Sequence, residues 1–265
     1  MLEIFEYEFM QRAFLAGMII ATLASISGTF VVLRRYSMIS ETLAHSALVG
    51  VAVGLVAGFN PLWMAVIIAI LSAWLIEYLR YSFSLYSDAV LAIFLSGSLA
   101  IAVIIVSLGG AFNNSLFSYL FGSILAVSDA DLITIFIFGI VCLSVLLIFA
   151  KEFYFIAYDE EVAKTSGIRV RLLSFLLVTI VAIIIALSIR VVGSLLIGAL
   201  MVIPTVSALQ YRQGFAKTLF ISLFFAIFSV ASGMTLSFYM SLPSGATIVL
   251  SILVIFIISL VANKR

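Results

Sequence analysis

The sequence predicts an all-α integral membrane protein of about nine transmembrane helices, with its N-terminus outside and its C-terminus in the cytoplasm. Three observations carry this. The 265 residues are 65% hydrophobic and only 9% charged, with a mean hydropathy of +1.37, whereas a soluble domain carries about a quarter charged residues. The chain divides at polar and Gly/Pro punctuation into nine apolar stretches, each near the ~20 residues that a helix needs to cross a bilayer. Lys and Arg also fall unevenly when those stretches alternate in direction, and the richer side is cytoplasmic by the positive-inside rule. A soluble enzyme is excluded. So is a nucleic-acid binder, because a net charge of +1 gives no clustered cations to displace counterions.

The predicted spans run from 12 to 33, 39 to 58, 61 to 79, 88 to 109, 129 to 150, 171 to 189, 193 to 211, 216 to 240 and 245 to 262. The opening MLEIFEYEFMQR is acidic, unlike the basic start of a signal peptide, and reads as uncleaved. Alternation places Arg34, Arg35, Arg80, Lys151, Lys164, Arg169, Arg171, Arg212, Lys217, Lys264 and Arg265 inside, and only Arg12 and Arg190 outside. An eight-span arrangement would split this set. Cys142, the only cysteine, sits in an apolar run and reads as a buried free thiol.

Two connections are longer than turns. The outer one, 110 to 128, is apolar enough for a short helix at the membrane surface covering a pore mouth. The inner one, 151 to 171, is charged and reads as a helix with a start and a stop. Asp159 suits the N-cap, Glu160 and Glu161 the first turn, Lys164 pairs at i, i+4 with Glu160, and Gly167 ends it in a left-handed cap. Such a helix serves either as a solvated connector or as a docking element for a partner.

Within the spans, the only histidine, His45, follows Glu41 by four residues, so carboxylate and imidazole share one helix face about 6 Å apart along the axis. Ionisable groups in a span face a cavity or a partner, and this pair suits a borderline divalent cation. The alternative is a Glu–His hydrogen bond reaching the cytoplasmic interface. Gly50, Gly54 and Gly58 form a small-residue stripe about 140° round the same helix. One side is therefore expected to pack while the other lines a path. Pro204 interrupts the seventh span, frees a carbonyl one turn earlier, and acts as a kink or a hinge. Glu77, Asp88, Asp129 and Asp131 fall at span ends, where an interfacial position is expected. No GxxxxGK[ST] loop, GxSxG elbow or HExxH pair is present, so transport outranks intramembrane enzymology. The competing class, a self-contained secondary transporter or channel, needs its own coupling-ion site in matched repeats, and the halves carry none that is recognisable.

Four blocks in register extend this reading: VVLRRYSMISETLAHSALVGVAVGLVAGFNP from Val31, SYLFGSILAVSDADL from Ser118, VVGSLLIGALMVIPTVSAL from Val191 and LPSGATIVL from Leu242. Together they resemble the permease subunits of bacterial ABC importers for zinc and manganese over nearly the whole chain, and most closely the zinc branch. The resemblance implies one permease domain, 1–265, with a cobalamin-importer-like (type II) fold in the bacterial inner membrane. It also implies a homodimer of permeases, cytoplasmic ATP-binding subunits that hydrolyse ATP in place of this chain, and an external metal-binding protein.

By that resemblance the 159–171 segment is the coupling helix and 115–127, with Phe121 and Gly122, the outer gating helix. Glu41 and His45 are then a transient site for the transported ion, Zn²⁺ or alternatively Mn²⁺ or iron, with no permanently bound cofactor. The family pattern has Asp where this chain has Glu41, one methylene longer in reach.

Overall fold

The computed structural model describes residues 6–83, 86–108, 114–123 and 127–262. Lys264, Arg265 and the parts 110–113 and 124–126 of the outer segment lie outside them. Among the described residues the chain is helical without strands: α1 (Glu8–Leu33), α2 (Met38–Ala57), α3 (Pro61–Ser82), α4 (Ser87–Leu108), α5 (Asn114–Phe121), α6 (Asp129–Ile148), α7 (Ala150–Tyr158), α8 (Glu160–Thr165), α9 (Val170–Ser188), α10 (Ile197–Leu209), α11 (Phe215–Met240) and α12 (Ser244–Ala262). Eight of these are long and apolar enough to cross a bilayer. The remaining predicted span, the seventh, is α10, whose 13 residues reach only about 20 Å.

Two rims show that α10 crosses all the same. At one rim Arg12, opening α1, pairs with Asp129, and Arg190, just after α9, pairs with Asp131; both acids open α6. The Ser194 and Leu195 amides ahead of α10 donate to the Tyr119 and Leu120 carbonyls of α5 at the same rim. At the other rim Arg34, ending α1, meets Glu160 of α8, and Phe215, opening α11, packs on Phe30 and Tyr154. So α10 starts at the first rim, α11 starts at the second, and the described helices make nine crossings with α10 counted. The remaining depth is covered by the irregular segment before α10, whose Val191, Val192 and Ser194 are buried. Non-helical backbone is tolerated there because protein, not lipid, surrounds it.

The ends of the elements follow from their residues. Asn60 caps α3 by accepting from the Leu62 amide, with Pro61 at the first helical position. Ser128 and Asp131 form a reciprocal capping box at α6. Gly58 is the left-handed cap of α2, at φ 74°. This corrects one part of the expected stripe. Gly50 and Gly54 do meet the α3 backbone at Met64 and Pro61, but Gly58 has no heavy atom within 4 Å of where a Cβ would stand. It ends the helix instead of packing it.

Most of α1, α2 and α9 is buried, while α4, α6 and α12 are peripheral. On its buried side α10 is held against α1 and α11 by hydroxyls: Ser25 with Ser222, Ser222 with Thr205, and Thr205 with Thr29, at 2.9–3.2 Å. Such intramembrane hydrogen bonds contribute about 0.6 kcal/mol each. Gly28 lets the two backbones close up, since a Cβ there would stand 2.0 Å from the Met201 carbonyl oxygen.

Three of the four sequence blocks converge at the outer rim. A Cβ on Gly122 would meet the Val191 carbonyl, one on Gly193 the Leu120 carbonyl, and one on Gly245 the Val192 carbonyl at 2.0 Å. Ser244 adds a hydroxyl bond to Val191 O. The end of α5, the segment before α10 and the start of α12 therefore touch backbone to backbone. Gly245→Ala is expected to lower thermal stability by at least the 1–3 kcal/mol typical of overpacking. Gly97→Ala, where nothing lies within 4 Å, should be neutral or raise it by up to about 1 kcal/mol. Melting of the detergent-purified protein compares the two.

Candidate functional site

Glu41 lies in the first turn of α2 and its side chain is exposed. One turn on, His45 is only 6% exposed, and its buried Nδ1 has no hydrogen-bond partner. No hydrogen bond joins the two side chains among the described residues, so the interfacial Glu–His bond is not formed. An orphaned buried nitrogen is uncommon and needs a water, an ion or a proton donor to satisfy it. Among the described residues no three His, Cys, Asp or Glu side chains gather as a metal cage. Two potential ligands on one face are what this chain offers.

The neighbour of this face is α10. Gly198 lies against Glu41, with its Cβ position 3.6 Å from Glu41 Cβ. The α10 face bearing Gly198, Ala199, Val202, Ile203, Val206 and Leu209, with Leu195 just ahead of the helix, is partly or fully uncovered, while Ile197, Leu200, Met201, Pro204 and Thr205 are buried. The uncovered strip is small at Gly198 and Ala199, aliphatic elsewhere, and carries no aromatic ring. It differs from the outward faces of α6 and α11, where Phe136, Phe220, Phe224 and Phe228 are exposed as lipid-facing side chains would be. Pro204 sits on the buried side of α10, behind the strip.

At the inner rim the sequence-predicted helix is α8. Asp159 accepts from the Glu161 and Val162 amides at 3.0 Å, Lys164 pairs with Glu160 at 3.1 Å, and Gly167 is left-handed at φ 82°. Sequence reasoning missed α7, the continuation of α6 beyond a break at Phe149. It also missed the network above α8. Glu160 meets Arg34 and Arg80 at 3.4 and 3.7 Å and accepts from the Tyr81 hydroxyl at 3.1 Å. Arg80 binds Glu77 at 2.6 Å, and Tyr36 donates to Glu77 at 3.5 Å. The Tyr36 carbonyl in turn accepts from the Ile39 amide in the first turn of α2.

Continuous contacts therefore run from α8 to the helix that bears Glu41. Burial would raise the Glu160 carboxyl, but the Lys164 hydrogen bond and the Arg80 and Arg34 charges outweigh it and hold the group below the usual range. Burial and then Glu77 raise the Tyr36 phenol, which keeps it a donor.

Glu77 corrects an expectation. It is 0% exposed instead of interfacial, because Arg80 one turn away and Tyr36 neutralise and satisfy it. Asp131 is likewise buried by its capping box and Arg190. The i, i+3 pair Glu77/Arg80 was the available signal; Tyr36, 41 residues away, was not.

At the outer rim Phe121 ends α5 and is 37% exposed, and Gly122 follows at φ 74°.

Residues 6–263 match the profile of the ABC 3 transport family. The chain belongs to that family. Among curated relatives of this ABC 3 chain is a probable metal transport system membrane protein of Treponema pallidum, 35% identical over 96% of this chain and 95% of that one. The high-affinity zinc uptake system membrane protein ZnuB of Haemophilus influenzae is 30% identical over 98% and 99%. The manganese import system permease ScaB of Streptococcus gordonii is 28% identical over 96% and 91%. In the structure of PsaBC from Streptococcus pneumoniae in complex with Fab, one chain superposes with a TM-score of 0.84 at 28% identity, covering 96% of this chain and 91% of that one. The ABC 3 chain is thus a multi-pass membrane protein with a metal-importer permease fold.

Proposed function

We propose that the chain is the transmembrane subunit of an ATP-driven importer that passes a divalent transition-metal ion, zinc in the first reading and manganese in the second, between two copies of itself. The observation that carries this is the uncovered strip of α10 with Glu41 at its edge and, one turn along α2, the orphaned His45 nitrogen. Small residues at Gly198 and Ala199 and two potential ligands suit an ion's route better than they suit lipid. Zinc rests on the wording around RRYSMISETLAHS and on the ZnuB relatives; manganese rests on relatives such as ScaB. A carboxylate and an imidazole accept either metal.

In this reading the ion arrives from an external binding protein past α5, rests weakly on Glu41 and His45 of both copies, and leaves to the cytoplasm. Two ligands per chain suit passage, because an ion held as in a closed structural site does not leave. ATP hydrolysis belongs to partner subunits that seat on α8. Their motion reaches α2 through Glu160, Arg80, Glu77 and Tyr36 and switches the spans between outward and inward states.

Reversing Glu160 and Glu161 to Lys is expected to reduce co-purification of the ATPase severalfold and to abolish metal-stimulated ATP hydrolysis; unchanged values count against α8 as the docking element. A crosslink that immobilises Phe121 is expected to block uptake with ATPase docking intact, and undiminished uptake removes the gate.

A further inference from the structure

Where α9 begins, an open cleft of about 690 Å³ lies between α3, α8 and α9. It is lined by Lys164 from α8, Arg169 from the connection, Arg171, Leu172 and Phe175 from the start of α9, and Tyr81 from α3. Lys164 is shared with Glu160 and stands 6.0 Å from the Tyr81 ring centroid. Among the described residues no carboxylate forms an ion pair with Arg169 or Arg171. Leu172 is 58% exposed on a spanning helix. One turn deeper than Phe175, Trp74 of α3 donates to Thr179 of α9 at 2.8 Å, which closes the two helices together below the cleft.

We propose that this cleft binds an anionic phospholipid. Lys164, Arg169 and Arg171 hold its phosphate, and an acyl chain lies over Leu172 and Phe175. An acidic protein surface would answer the cations but leave Leu172 and Phe175 uncovered in a spanning segment. A phosphate joined to a hydrocarbon chain answers both, and basic pockets at the cytoplasmic face are where such headgroups collect. Because Lys164 lies on α8 and the two arginines lie at α9, the lipid ties α8 to the bilayer.

The test is the lipid retained by the purified complex after equilibration with phosphatidylglycerol and phosphatidylcholine in equal amounts, read by native mass spectrometry. The wild type is expected to prefer phosphatidylglycerol. Arg169→Gln with Arg171→Gln should lose that preference at least about tenfold, since each near-surface cation contributes a factor of about five. Arg169→Lys with Arg171→Lys should keep most of it, as should Arg212→Gln with Lys217→Gln, which removes two cations elsewhere on the same rim. Unchanged preference in the Gln pair overturns the proposal, as does equal loss in the Arg212/Lys217 pair or in the Lys pair. Displacement by millimolar inorganic phosphate would make it a free-phosphate site. Retention only after the ATPase is stripped away would make it a protein interface.

Discussion

Cells carrying Glu41→Ala or His45→Ala take up metal at least about tenfold more slowly than the wild type, at equal expression and equal ATPase co-purification. The size follows from ligand loss: even removing an outer partner of a metal ligand costs 10–100-fold in affinity or activity, and a two-ligand site has none to spare. Structural damage does not explain such a loss at Glu41, whose side chain is exposed beside Gly198 and takes part in no ion pair among the described residues. Glu41→Asp shortens the reach by one methylene and keeps a carboxylate, so it should retain much of the rate. Normal uptake by both alanine variants moves the ion's route elsewhere.

Glu77→Ala destabilises the protein by about 3–5 kcal/mol, the usual cost of removing one partner from a buried ion pair. Arg80, only half-buried, loses its 2.6 Å contact and keeps the 3.7 Å approach to Glu160, which puts the cost at the lower end, and the buried Tyr36 hydroxyl loses its acceptor. Glu77→Gln keeps the shape and an acceptor for Tyr36 but removes the charge that holds Arg80 in place, so it should melt nearer the wild type. Its metal-stimulated ATP hydrolysis should nonetheless fall, because α8 is no longer tied to α2. Wild-type melting and wild-type stimulation in Glu77→Gln would remove the relay.

The same network has a pH signature with a fixed sign. The Glu160 carboxyl is held below its usual range, so its contribution to stability is complete above the ordinary carboxylate range and is lost only as pH falls through the lowered folded value.

The residues that were legible in the sequence are those whose signals are local. Asp159, Glu160, Lys164 and Gly167 lie within nine residues, and a cap, an i, i+4 pair and a left-handed stop define α8 without help from the rest of the chain. The grouping of cations was legible for the same reason: Arg34, Arg80 and Lys164 gather around Glu160, while Arg12 and Arg190 stand at the opposite rim. The spacing of Glu41 and His45 was visible too, but α10, which lies against Glu41, is far along the chain.

Glu77 was misjudged because span ends are usually wet and its partner Tyr36 comes from another turn. Gly58 was misjudged because a glycine at every fourth position reads the same whether it packs a helix or ends one; only φ separates them. The glycines of the outer junction lie in three of the blocks recognised in the sequence, yet nothing local shows that their backbones meet. The shortness of α10 was hidden because Val191 to Leu196 are as apolar as a helix would be.

The central claim is that the uncovered strip of α10, with Glu41 at its edge, faces the second copy across a shared path. Spin labels at Val202, on that strip, and at Phe224, on the aromatic face of α11, measure this by pulsed electron resonance in the reconstituted complex. The account predicts a shorter copy-to-copy distance for Val202 than for Phe224, and broadening at Val202 alone by a water-soluble paramagnetic ion. A shorter distance at Phe224, with Val202 broadened only by a lipid-soluble relaxer, would turn the strip toward lipid and contradict it.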